Sequence, residues 1–176
     1  AWRSIVTPVP SMLDMGVTVG LGTDGAMTNN SLDMFHAMNF AALINKVNYG
    51  TTKAMTAEKV LNMSTRLAAK ALCLDDKVGS LETGKKADIV LVDMKAPGMA
   101  PTILPIKNLV YSATSSCVDI VIINGKTVME GRELRTLDKE KIIEEAEKQT
   151  WRLVEGSGHM DRYPDFLKRG KMSYMN

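Results

Sequence analysis

The chain has few of the residues from which metal and nucleophile sites are usually built. Its 176 residues include two histidines, His36 and His159, and two cysteines, Cys73 and Cys117. A hydrolytic metal centre takes about three or four protein ligands. No His-x-His, Cys-x-x-Cys or His-Glu-x-x-His occurs, so a complete metal site is not encoded. The lone cysteines stand in apolar or small-residue surroundings. That excludes a disulfide framework and fits reduced core thiols in a cytoplasmic protein. No apolar run approaches the ~20 residues of a transmembrane helix, and no secretory signal is visible, so a membrane role is not expected. Net charge is only +2, with Lys and Arg spread among Asp and Glu. A nucleic-acid surface would need a clustered basic stripe. A phosphate-binding G-x-x-x-x-G-K-[ST] is missing, and "GVTVGLG" fails the G-x-G-x-x-G spacing. Gly156-Ser157-Gly158 lacks the strand-to-helix setting of a nucleophile elbow.

What is present is globular. An apolar share of 45% against 24% charged supplies a core for one ordinary domain, or one and a half small ones. The 13 methionines are expected mainly as core gap-fillers. "PSMLDMG" reads as a short helical turn, with Pro10 in its first turn and Gly16 as its stop. "VTVGLG" reads as a short strand ending at Gly22. A helix is expected from Ser31, capped by Asn30 or Ser31, with Asp33 favourable in its first turn and Gly50 beyond its end. Its buried stripe would be Leu32, Phe35, Met38, Ala42 and Leu43. "MTAEKVLNMSTRLAAKALCL" reads as one further helix capped by Thr56, with Val60, Leu61, Ala68 and Ala71 at helical spacing. After Gly79 the texture turns to β: a strand at Ile89–Val92, then two strands joined by Asn124-Gly125, a strong hairpin signal. Asp138 would cap a charged amphipathic helix running to about Val154. The tail "MDRYPDFLKRGKMSYMN", from Met160, shows little periodicity and is expected to be loosely held. The chain thus divides near residue 78, and its first part, one strand with two helices, looks incomplete by itself.

Asp24 lies between that first strand and the following helix, in "VGLGTDGAMTNNSLDMF" (residues 19–35). An Asp at the carboxyl end of a strand is where α/β barrels place catalytic groups. Asp-Gly is also among the commonest turn pairs, and the residues alone favour the turn. Asn29, Asn30 and Ser31 could rim a polar pocket, though helix capping explains at least one of them. His36 is expected to be a buried or half-exposed structural residue and His159 to face solvent.

The same stretch, followed in order by "GSLETGKKADIVLVDM", "NLVYSATSSCVDIVIINGKTVMEGREL" and "TLDKEKIIEEAE", resembles the C-terminal part of an amidohydrolase. The similarity runs from about Val9 to Lys148. It is strongest to the branch holding methylthioadenosine/S-adenosylhomocysteine deaminases, triazine chlorohydrolases and guanine-deaminase-like enzymes. The resemblance implies an α/β plus β fold. Residues 1–78 would be the last strand and closing helices of a (β/α)8 barrel. Residues 79–155 would be part of a small flanking β-sandwich with a C-terminal helix, and 156–176 a tail. It also implies that Asp24 is both catalytic residue and metal ligand. Asp24 would take the proton from a metal-activated water and pass it to leaving ammonia as a heterocyclic, purine-like amine loses its amino group. The metal would be zinc, with iron or manganese as alternatives. The family's His-x-His, two further histidines and catalytic Glu would lie upstream of Ala1. A barrel needs roughly 200 residues or more, so the chain is expected to be an inactive C-terminal fragment. Two other readings stand beside it. One is a split-enzyme subunit completed by a separate N-terminal chain, and the other a non-catalytic assembly module with Asp24 as a turn residue. On any of them, open strand edges and apolar helix faces are expected to drive homo-oligomerisation or capture of the complementing chain.

Overall fold

The computed structural model describes residues 6–159 and Arg162. The expected looseness of the tail concerns residues that otherwise lie outside this range. Two compact units divide at Arg135/Thr136. The helices and the sheet before Arg135 share one unit, because the apolar side chains of the helical part pack onto those of the sheet-side loops.

In the first unit, α1 (Val9–Asp14) carries Pro10 in its first turn, and Gly16 follows with φ 80. The segment 17–25 has no strand assignment, contrary to the reading of "VTVGLG". A strand exists only as part of a ladder, and nothing among the described residues pairs with it. Instead the Leu21 amide donates to the Met63 carbonyl at 2.9 Å. Gly20 lets the chain lie against a helix, since a Cβ there would come within 3.0 Å of Ala68 Cα. A single helical turn, α2 (Ala26–Asn29), precedes α3 (Met34–Tyr49). The cap of α3 is Asp33, not Asn30 or Ser31: its side chain accepts from the Phe35 and His36 amides. Asn30 is already committed to left-handed closure of α2, with φ 58, and Ser31 Oγ accepts the Asp33 amide. Gly50 ends α3 as expected.

The long helix expected after Thr56 is two. Thr56 caps α4 (Ala57–Ser64) through Lys59 N, but the chain breaks at Thr65 before α5 (Arg66–Ala71). Ser64 Oγ donates to the Val60 carbonyl and Thr65 Oγ1 to that of Leu61. Adjacent back-bonds of this type pull carbonyls out of the helical ladder and bend it. A further helix, α6 (Pro105–Tyr111), was not anticipated. Helices α3, α4 and α6 enclose one core of Met38, Ala42, Met55, Ala57, Val60, Met63 and Val110. Leu32 and Leu43 of the expected stripe are exposed, and Ala71 is too. A second core joins Ala96, Met99, Ala113 and Cys117, and Phe35 packs on both. Cys73 is exposed instead of buried. It holds φ 56 just past α5, where the amides of Cys73 and Leu74 donate back to the Lys70 and Ala69 carbonyls. That position closes the helix and points away from its packed face. The methionine expectation holds for Met38, Met55, Met63 and Met99, whereas Met15 and Met27 are exposed.

The sheet is a four-stranded antiparallel ribbon in the order β1 (Ile89–Val92), β2 (Val118–Ile123), β3 (Lys126–Glu130), β4 (Glu133–Leu134). Asn124 and Gly125 both have positive φ (50 and 78), as the type I′ hairpin turn demands. Gly131 and Arg132, also both positive, make the second turn and the short β4 that the sequence reading missed. In the second unit, Asp138 caps α7 (Lys139–Gly156) by accepting the Lys141 amide. Among the described residues no helix is long and apolar enough to cross a membrane.

Candidate active-site pocket

The stretch from Leu21 to Ala41 encloses an open pocket of about 380 Å³, lined by Thr23, Asp24, Thr28, Asn29, His36 and Phe40 among others. One wall is the extended segment anchored on Met63. The other is the outer face of the first half of α3. Asp24, just before α2, is among the lining residues. It is exposed and holds the left-handed conformation at φ 61, which only Gly, Asn and Asp visit readily among common residues. Its Oδ1 accepts the Gly25 amide at 2.8 Å, while Thr23 Oγ1 donates to its carbonyl at 3.1 Å. The side chain thus does what a turn aspartate does, and the residue also lines the pocket.

Of the three rim candidates, Asn29 lines the pocket, Asn30 closes α2, and Ser31 supports Asp33. His36 was expected to be buried or half-exposed. It is exposed and lines the same pocket as Asp24. Helical geometry carried the signal, because two residues along α3 turn His36 about 200° away from the buried Met38. His159 is exposed, as expected.

Asp33 is the electrostatically distinctive group nearby. Partial burial would raise its carboxyl, but amides of Ser115, His36 and Phe35 donate to it and hold it below the ordinary carboxylate range. Among the described residues, no three His, Cys, Asp or Glu side chains converge to hold a metal ion. Catalytic zinc takes about three protein ligands, so these residues do not complete a metal centre.

The profile of the amidohydrolase family matches residues 3–128. The chain belongs to the amidohydrolase family. It is 49% identical over 149 residues to a 5-methylthioadenosine/S-adenosylhomocysteine deaminase of Pelotomaculum thermopropionicum, an alignment covering 85% of this chain and 34% of that protein. An adenosine deaminase from Xanthomonas campestris, solved with bound zinc, superposes with a TM-score of 0.79 at 34% identity, over 85% of this chain and 34% of that one. A zinc complex of atrazine chlorohydrolase from Arthrobacter aurescens gives a TM-score of 0.72 at 28% identity, over 78% and 31% of the two chains. The chain therefore spans about a third of the length of the amidohydrolases it matches.

Proposed function

We propose that this chain is the C-terminal portion of a metal-dependent amidohydrolase that hydrolyses a non-peptide C–N bond, deaminating a purine-like or other heterocyclic amine. On this reading residues 1–78 carry the last strand and closing helices of a (β/α)8 barrel, and 79–155 part of a flanking β-sandwich with α7. The unpaired segment 17–22 is then a barrel strand whose neighbours lie in polypeptide outside this sequence. Asp24 is the catalytic carboxylate and this chain's one metal ligand. The observation that carries the reading is Asp24 itself. It holds a left-handed turn and lines a pocket, between an extended segment and a helix, in a chain 49% identical over 149 residues to a named deaminase. The divalent metal, zinc with iron or manganese as alternatives, is a property of the complete enzyme. This chain alone retains none and is inactive. The exposed Phe40, Leu43 and Val47 on the outer face of α3 and the open edge of β1 are surfaces for the remainder of the enzyme or for a second copy.

Elemental analysis of the purified chain after exhaustive dialysis tests this first. The expected result is no bound metal, and about one zinc per chain would contradict it. The chain is then mixed with the N-terminal two thirds of the Pelotomaculum relative, and ammonia release from 5′-methylthioadenosine is followed. Turnover should appear on mixing and vanish with Asp24→Asn. Full turnover by the Asp24→Asn chain would remove Asp24 from the chemistry.

A further inference from the structure

Among the described residues, the loop that carries Asp24 makes only local hydrogen bonds. Every residue from Asp24 to Asn30 is exposed, and α2 buries no side chain. Its internal bonds are short-range: Thr28 and Asn29 amides to the Gly25 carbonyl, and the Asn30 amide to that of Ala26. Such bonds shape a loop without fixing where it stands, and exposed loops of this kind open locally at little cost. Position has to come from the two ends. At one end the Leu21 amide is bonded to Met63. At the other end stands Asp33.

Asp33 does more there than cap a helix. One carboxylate oxygen, Oδ1, accepts the Phe35 and His36 amides at 2.8 and 3.3 Å. The other, Oδ2, accepts the Ser115 amide at 3.1 Å, from a residue 82 positions away. Ser115 opens the 3-10 turn Ser115–Cys117, which runs directly into β2. Upstream, the Asp33 backbone amide donates to Ser31 Oγ, so the residue whose carboxylate is tied to Ser115 is also bonded, through its main chain, to the end of the loop. We infer that Asp33 is a positioning residue: by gripping α3 with one oxygen and the turn before β2 with the other, it sets where the Asp24 loop stands. The inference rests on the functional reading only in calling that loop a site.

The two oxygens can be separated by mutation. Asn and Ser cap a helix about as well as Asp, but neither keeps two acceptor oxygens. Asp33→Asn and Asp33→Ser therefore preserve the α3 cap and lose the Ser115 tie, and Phe35, packed on both cores, keeps α3 in place. Amide hydrogen exchange is measured on the full chain for both variants. Exchange should rise roughly tenfold or more over residues 22–36 and 112–118, as expected for losing a hydrogen bond to a charged group. The α4 amides should change by less than about threefold.

Three results would overturn the inference. They are faster exchange at 112–118 with 22–36 unchanged, uniform acceleration along the chain, or an effect seen with Asp33→Ala but with neither capping variant. Exchange involves neither metal nor turnover, so failure here is distinguishable from failure of the catalytic reading. Asp24→Asn should leave exchange at 112–118 unchanged.

Discussion

The helical core and the sheet of this chain are fixed in different ways. Between α3, α4 and α6, Met55, Val60 and Val110 are fully buried and Met63 nearly so. Packing decides that region. In the sheet, Val118 is the one buried strand residue, while Val90, Leu91 and Ile123 are each 42–54% exposed. The sheet takes its register from ladder bonds and two tight turns, not from a filled interior. A core punishes lost volume, whereas a ribbon of this kind punishes a turn residue that cannot take positive φ.

The contrast is sharpest under truncation. Met63→Ala should cost about 2–5 kcal/mol in urea unfolding, the usual range for emptying a filled site. Val90→Thr, on an exposed strand position, should stay within about 0.5 kcal/mol. Equal costs would erase the distinction. Gly125→Ala comes between, at about 1–2 kcal/mol, because it forces a Cβ into left-handed backbone. Its effect should be concentrated in exchange of the β2 and β3 amides. The smallest effect is a pH dependence at the junction of the two regions. The Asp33 carboxyl is held below its ordinary value when folded, so its contribution is fully present above the unfolded pKa of about 4. It is lost as pH falls through the folded value. The stability gap between wild type and Asp33→Asn should therefore narrow on acidification below about pH 4. A gap that widened would reverse the sign.

Legibility in sequence follows the same division. Strand β1, the Asn124-Gly125 hairpin and the Thr56 and Asp138 caps could be read directly, because each is decided by residues within a few positions. The break at Thr65 was hidden, since two hydroxyls competing for backbone carbonyls leave the apolar spacing intact. The second turn at Gly131-Arg132 escaped because arginine gives no turn signal. Segment 17–22 has strand composition without a strand, as pairing depends on partners and not on propensity. At the candidate site, Asp24 is visible as a residue, whereas His36, expected to be buried or half-exposed, is exposed and lines the same pocket. Asp33 looked like a favourable charge in a first turn, and its tie to Ser115 crosses 82 positions, beyond any local pattern.

The two hairpin turns also set an order of events. Strands β2, β3 and β4 are linked by two-residue turns, so the three can zip together on the microsecond scale of hairpin closure. Strand β1 must wait for the connection from Asp93 to Cys117 to be organised, a non-local closure of the kind that slows folding. During synthesis β1 leaves the ribosome before its partner exists, with four apolar residues and no proline or charge among them. Between emergence of Ile89–Val92 and completion of β2, those four apolar residues are thus without the strand they pair with.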